Sequence, residues 1–505
     1  MQDAQKYLGI VRSRGERRLE LRRVYRNLKN PELYLRAYAK LYANAGALTP
    51  GTDPEDTVDG MALERIRGII ETLNEGTYQW KPARRTYIPK KNGKLRPLGI
   101  PSWNDKLLQE VIRTVLSAYY EPQFSEASHG FRPGRGCHTA LRSILFNWKG
   151  TKWFIEGDIK GCFDHIDHGK LLEVIGQNIK DERLLKLLKG MLEAGYLEDW
   201  RYHKTYSGTP QGGVISPLLA NIFLNELDKF VENELIPQYN RGERRRPNPE
   251  YARLTREMRK AKEDKDIERY KALERERQVL PYGDPSDPNY RRLKYVRYAD
   301  DFLMGFVGPK SEAEEIRRKT GEFLEAIGLT MSEEKTLITH ATSRARFLGY
   351  DISMAQADSR KWNKRRSING TPIFRVPTEV AQEWKKRYTR NGKPYHRTEL
   401  LNRSDYDIVV TYNLEFQGLA NYYAMAHDVS AKLYPIKYVY EQSLVKTLAT
   451  KHKQRVTQIY RRHKRKQENG VTAIVVRVPR KDQKPLVAKF GAKPIRFDKK
   501  AVINE

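Results

Sequence analysis

"RYADDFLMG", residues 297–305, decides how the rest of this chain is read. It sets two adjacent carboxylates, Asp300 and Asp301, inside an apolar run. A strand interior suits aspartate poorly, on propensity and on solvation. Like charges side by side also raise each other's pKa. A bound cation is the simplest compensation. Neighbouring residues on a straight strand face opposite sides, so both carboxylates reach one site only if the chain turns there. The stretch therefore predicts the tip of a β-hairpin. A partner carboxylate is available in "TKWFIEGDIKGCFDHI", a short apolar strand ending at Asp158. Alone, Asp158 reads as a strand-end turn residue. Beside the hairpin it completes a hard-oxygen site suited to Mg²⁺. Two such ions ~3.5–4 Å apart clamp the attacking and leaving oxygens of an in-line phosphoryl displacement.

Charge points the same way. The 505 residues carry 94 Lys+Arg against 63 Asp+Glu, a net +31, which calls for a polyanionic partner. An anionic membrane surface fits less well, because no apolar stretch approaches the ~20 residues needed to span a bilayer. Two cysteines, Cys137 and Cys162, exclude a disulfide framework and any zinc module built on cysteine pairs. The N-terminus has no apolar signal core, and its acids argue against a transit peptide. A cytoplasmic protein is expected. The ten histidines are scattered, and His129, His138, His165 and His168 lack the paired spacing zinc prefers.

Residues 1–80 read as basic helices broken at "GALTPGTDPEDTVDG". "RRTYIPKKNGKLRPLGIP" predicts two strands around a Lys-Asn-Gly-Lys turn, with Lys90, Lys91, Lys94 and Arg96 placed to grip a phosphate group. "DKLLQEVIRTVLSAYY" predicts a helix with Leu107, Leu108, Val111, Ile112, Val115 and Leu116 on one face. A helical stretch is expected over 169–197, and a Gly-rich loop carrying Gln211 should run into a helix capped by Ser216 and opened by Pro217. Residues 241–292 are charged almost throughout and read first as one or two solvated helices in an insertion, with an RNA-binding arm as the alternative.

Five ordered motifs within residues 80–350 now carry a resemblance. "RYADDF" resembles the YxDD box of reverse transcriptases, and "DIKGCFDHI" their first palm aspartate motif. "SGTPQGGVISPLLANIFL" is similar to their PQG-xx-SP segment, "PKKNGKLRPLGIP" to their fingers motif and "FLGY" to their primer grip. "SHGFRPGRGCHTAL" narrows the likeness to group II intron reverse transcriptases (maturases), and "LEFQGLANYYAMAHDV" resembles their thumb, or X, domain.

The resemblance implies an α/β (α+β) right-hand polymerase with an antiparallel palm sheet. The expected divisions are an N-terminal helical extension over 1–83, fingers and palm over 84–355, an α-helical thumb over 356–466, and a short basic DNA-binding-like region over 467–505. It implies RNA-templated DNA synthesis from dNTPs with two Mg²⁺ ions, or Mn²⁺ in their place. Asp158, Ile159, Asp300 and Asp301 fall at the metal positions. Arg84, Lys90, Arg96, Gly161, Cys162, Phe163 and Gln211 fall at the nucleotide, with Phe163 excluding a 2′-hydroxyl. Phe347, Leu348, Gly349 and Tyr350 would hold the primer end, or form a buried strand end.

Basic clusters at Lys361, Lys364, Arg365, Arg366, Lys385, Lys386 and Arg387, and at Arg461, Arg462, Lys464 and Arg465, suit phosphate contacts. Tyr388, Tyr395, Tyr422 and Tyr423 nearby suit stacking on unpaired bases. The implied partners are group II intron RNA, an RNA template with DNA primer, and target DNA, in a bacterial, nucleoid-associated setting without a membrane. The implied biology is splicing assistance, then retrohoming by target-primed reverse transcription. A domesticated reverse transcriptase in defence or repair would share every palm motif, and a splicing cofactor alone would not need the intact aspartates. Family members often add a C-terminal zinc-supported HNH nuclease. No such motif precedes Glu505, so the sequence is read as lacking one, or as cut before it.

Overall fold

The computed structural model describes residues 3–502 apart from 45, 90–92, 94, 199–200, 206, 209–211, 358–360, 363–364, 367–368 and 482. Helices and antiparallel sheets are mixed along the chain. At its centre is a four-stranded antiparallel sheet in the order Ile338–His340, Trp153–Asp158, Asp301–Val307, Arg292–Tyr298.

The alternation of side chains in that sheet explains the near-continuous apolar strands, because both faces are covered. Ile155, Leu293, Phe302, Met304 and Phe306 enter one hydrophobic cluster, with the Trp103–Tyr120 and Ser216–Phe230 helices. Phe154, Val296 and Leu303 face the other way, into a cluster with the helices Asp405–Tyr422 and Val429–Lys451. Leu303 is 0 % exposed, so Leu303→Ala would cost about 2–5 kcal/mol.

The sequence-predicted hairpin before the Trp103 helix forms from Ala83–Pro89 and Leu95–Ile100, with Gly93 at φ +79° in its turn. The helix itself runs Trp103–Tyr120, capped by Ser102, and buries all six expected apolar positions. Two expectations need correcting. The 169–197 stretch is two helices, His168–Asn178 and Glu182–Glu193. Between them Ile179–Lys180 pairs in parallel with Leu21–Arg22, and the Asp181 carboxylate caps the second helix at Leu184 N. Ser216 is the first residue inside its helix and not its cap; Ile215 holds that position.

Residues 241–292 contain a helical hairpin, Pro249–Glu263 and Ile267–Val279. The first helix buries Leu254, Met258 and Ala261, while the second buries nothing. The C-terminal strands Thr472–Arg480 and Gln483–Phe490 form a hairpin whose Ile474, Val476, Ala488 and Phe490 join the core of the Asp405–Tyr422 helix. No helix among the described residues is long and apolar enough to cross a membrane.

Candidate active site

The register of the central sheet assembles the carboxylates. Asp158, last residue of its strand, pairs directly with Asp301, first residue of the neighbouring strand. Directly paired residues point to the same face. Asp301 also closes the hairpin opposite Tyr298, so Ala299 and Asp300 form a two-residue turn. Ala299 takes φ +56°, the left-handed conformation such tight turns need, and this brings Asp300 round beside Asp301.

The grouping shows in their acidities. Burial, then the Asp158 charge, pushes the Asp300 carboxyl above its ordinary range. Burial, the Asp300 charge and a hydrogen bond with Asp158 push Asp301 up to about 7. Lys335 donates to both Asp158 oxygens at 3.0 and 2.9 Å, and those contacts raise its own pKa. Among the described residues, no three acidic, imidazole or thiol groups are drawn into a finished cation cluster. A lysine holds Asp158 and a shared proton would hold Asp301 with it. Hard oxygen donors crowded so that Asp300 and Asp301 are held above the ordinary carboxylate range suit a divalent cation.

The other side chains around this point divide clearly. Ile159 forms an isolated bridge to Met331 whose hydrogen bonds run through Lys160 N and the Asp158 carbonyl, not through the Ile159 carbonyl. Gly161, in the left-handed region, opens the one-turn helix Cys162–His165. Cys162 is buried, its thiol pushed up to about 12 by burial and then by Asp300. Phe163 is half-buried and meets the ring of Phe131 edge-to-face at 6.4 Å. Arg96 is exposed, yet its charge is felt at Asp300. Arg84 points elsewhere: its guanidinium donates to the Pro50 carbonyl at 3.2 and 2.9 Å. Lys90 and Gln211 lie outside the described residues, as do Lys91 and Lys94. Next to Gln211, Gly212 at φ +105° sits so close to the hairpin that a Cβ would lie 2.7 Å from the Gly99 carbonyl oxygen.

Phe347 and Tyr350 are paired ends of a hairpin and both are buried. Leu348 and Gly349, at φ +46° and +69°, form its turn, and their carbonyls accept from the Tyr422 and Tyr423 hydroxyls at 2.8 and 3.2 Å. The two aromatic residues of this tetrapeptide are therefore core, and only the turn is part exposed.

Of the basic residues, Lys386, Arg387, Arg461, Arg462, Lys464 and Arg465 are exposed and Lys385 is half-exposed. Arg387 pairs with Glu383 at 2.8 Å. The backbones of Lys361–Trp362 and Arg365–Arg366 pair as a short hairpin, but the side chains of Lys361, Arg365 and Arg366, and all of Lys364, lie outside the described residues. Tyr388 and Tyr423 are buried at 5 % exposure, so the expectation that they stack on bases fails; burial in the apolar core takes precedence.

Sequence reasoning missed the support beneath the turn. Arg297, wholly buried, donates from Nε and Nη2 to the Asp228 carboxylate at 2.7 and 2.6 Å. It also donates to the Ala299 carbonyl at 2.8 Å, Asn221 Oδ1 at 3.1 Å and Ser128 Oγ at 2.9 Å. Gly130 packs so tightly that a Cβ would stand 2.5 Å from Ala299 N. The only sequence signal was an arginine on the sheet face that otherwise carries Leu293 and Tyr295. Lys335 left none.

The reverse transcriptase (RNA-dependent DNA polymerase) family model matches residues 88–352, and the type II intron maturase model matches 371–491. The chain is thus an RNA-directed DNA polymerase joined to a maturase domain. It is 43% identical over 451 residues to the group II intron-encoded protein LtrA of Lactococcus lactis subsp. cremoris, covering 85% of this chain and 75% of that protein. A putative COX1/OXI3 intron 1 protein of Saccharomyces cerevisiae is 36% identical over 445 residues, covering 84% and 53%. Protein YkfC of Escherichia coli is 32% identical over 342 residues, covering 66% and 84%. The chain belongs to the group II intron-encoded reverse transcriptase/maturase family.

Proposed function

We propose that the central sheet is the palm of a right-hand polymerase and that Asp158, Asp300 and Asp301 are its catalytic carboxylates. The observation that carries this is the direct pairing of Asp158 with Asp301 beside the Asp300 turn. Reverse transcriptases in general depend on divalent metal. Bound Mg²⁺, or Mn²⁺, would supply activation of a primer 3′-hydroxyl and neutralisation of departing pyrophosphate. Asp158, Asp300 and Asp301 are the residues that would hold it, with the Ile159 carbonyl. The chain's own part is positioning: the sheet fixes the carboxylates, and Lys335 balances Asp158 until the site is filled.

The 83–100 hairpin would serve as fingers, with Arg96 and Lys90 reaching the triphosphate. Arg84 is better placed to brace the N-terminal segment through Pro50. Phe163 would pack against the sugar and reject a 2′-hydroxyl, with Gly161, Cys162 and Gln211 lining the nucleotide. The Leu348–Gly349 turn would touch the primer, its shape set by Phe347 and Tyr350. We divide the chain into an N-terminal extension (1–83), fingers and palm (84–355), thumb (356–466) and a basic DNA-binding-like region (467–505), whose 472–490 hairpin packs onto the thumb helices within the span of the maturase match.

The partners on this reading are the encoding group II intron RNA, an RNA template with DNA primer, and target DNA. Exposed Lys386, Arg387, Arg461, Arg462, Lys464 and Arg465 would contribute phosphate contacts. Splicing assistance followed by target-primed reverse transcription is the function. Replacing Asp300 and Asp301 together with Ala should abolish RNA-templated primer extension and leave intron splicing near the unmodified level. Surviving extension would remove the site; loss of splicing in a folded variant would show the two functions to be inseparable.

A further inference from the structure

At the end of the Trp153–Asp158 strand opposite the carboxylates lies a cleft of about 1100 Å³. Five residue-to-residue steps of strand separate Trp153, in its wall, from Asp158, roughly 16 Å at ~3.3 Å per step. This places the cleft outside the polymerising centre. One wall is the charged helical hairpin of the insertion, with the loop after it; the other is the end of the central sheet.

Its chemistry is one-sided. Lys149, Lys152, Lys310, Arg245 and Arg277 line it against one carboxylate, Glu274. Lys149, Lys152, Arg245 and Arg277 form no ion pair among the described residues. Lys152 instead donates to the Pro285 carbonyl at 2.6 Å, and Arg277 lies over the Tyr251 ring at 5.3 Å. Tyr282 meets Tyr251 edge-to-face at 5.4 Å yet stays 67 % exposed. A large aromatic ring held in solvent among unpaired guanidinium groups is the combination that binds unpaired nucleotides, through stacking and phosphate contact together. Burial, then the neighbouring Arg245 and Arg291 charges, pull the Lys152 ammonium's pKa down, and the Asp284 charge opposes them.

We propose that this cleft is a second nucleic-acid site, which takes one or two unpaired RNA nucleotides, stacked on Tyr282 and held at phosphate by Arg245 and Arg277. The proposal rests on the reading of the chain as an RNA-copying protein. It gives the charged insertion a function beyond solvation. The RNA is either an overhang of the strand being copied or a separate RNA, and both present the same chemistry.

The test uses the full-length protein with its polymerase channel filled by a short, chain-terminated template–primer. In one arm a labelled single-stranded decaribonucleotide is added separately; in the other the same ten nucleotides extend the template. Tyr282→Ala with Arg277→Ala should weaken binding about tenfold or more in at least one arm, and that arm identifies the source. Arg245→Glu should do likewise and flatten the salt dependence by about one unit of slope. Thermal unfolding of each variant establishes that it is folded. Equal binding by folded variants and unmodified protein in both arms, or no binding by the unmodified filled complex, would overturn the proposal. Primer extension by the unmodified protein, run in parallel, tests the polymerase reading separately.

Discussion

Replacing Arg297 with Met should destabilise the protein strongly. The side chain is 0 % exposed and makes five hydrogen bonds, two of them to an equally buried Asp228. Burial pulls its pKa down, but the charge and hydrogen bonds of Asp228 outweigh that and hold the guanidinium protonated. Met keeps much of the volume and removes the charge. Asp228 would then stay enclosed with the Tyr295 hydroxyl, at 2.8 Å, as its remaining donor from the hairpin. Leaving one charge of a buried pair uncompensated costs about 3–5 kcal/mol. That is a large share of the roughly 5–15 kcal/mol by which domains are stable. The urea midpoint should fall by roughly 1 M or more. Arg297→Met should cost much less in an Asp228→Leu background, because the stranded carboxylate is gone. Extension should drop in any folded fraction, since the Ala299 carbonyl loses its anchor beside Asp300. A single-variant cost under about 1 kcal/mol, or an equal cost in the Asp228→Leu background, would refute the argument.

Phe163→Ala should raise incorporation of NTPs relative to dNTPs by about tenfold or more, read by steady-state primer extension; unchanged discrimination would remove the sugar-gate role. Burial, then Arg135 and Arg132, push the His129 imidazole down to about 4. It folds neutral, so the unfolded chain alone takes up a proton between about pH 6.5 and 4. Its contribution is complete above about pH 6.5 and shrinks by up to ~3 kcal/mol on acidification to pH 4. A His129→Gln variant should therefore lose less stability than unmodified protein between pH 7 and 4.5 in urea titrations. Lys335 is 67 % exposed, so its pair with Asp158 counts for only about 0.2–1 kcal/mol. Lys335→Ala should lower the Mg²⁺ concentration for half-maximal extension by roughly two- to fivefold.

The central hairpin was readable because two carboxylates in an apolar run conflict with strand chemistry, and Asp158 because it ends an apolar strand. The Trp103–Tyr120 face was readable from its 3.6-residue period. What escaped is long-range. The Arg297–Asp228 pair joins residues 69 apart, and Lys335 reaches Asp158 across 177. No local pattern encodes such contacts. Tyr388 and Tyr423 were misread because composition cannot tell an aromatic beside a basic cluster from one beneath it. The helix break at 179–181 arises from strand pairing with Leu21–Arg22, again a distant partner.

The most direct measurement is RNA-templated primer extension with dNTPs, with and without Mg²⁺, by unmodified protein and by Asp301→Asn. Asn keeps the shape of the Asp158–Asp301 pair and removes its charge. Extension should require Mg²⁺ and should fall at least about a thousandfold in the variant, as several kcal/mol of charge stabilisation disappear. Metal-independent synthesis, or near-normal synthesis by folded Asp301→Asn, would contradict the assignment of these carboxylates as the catalytic centre.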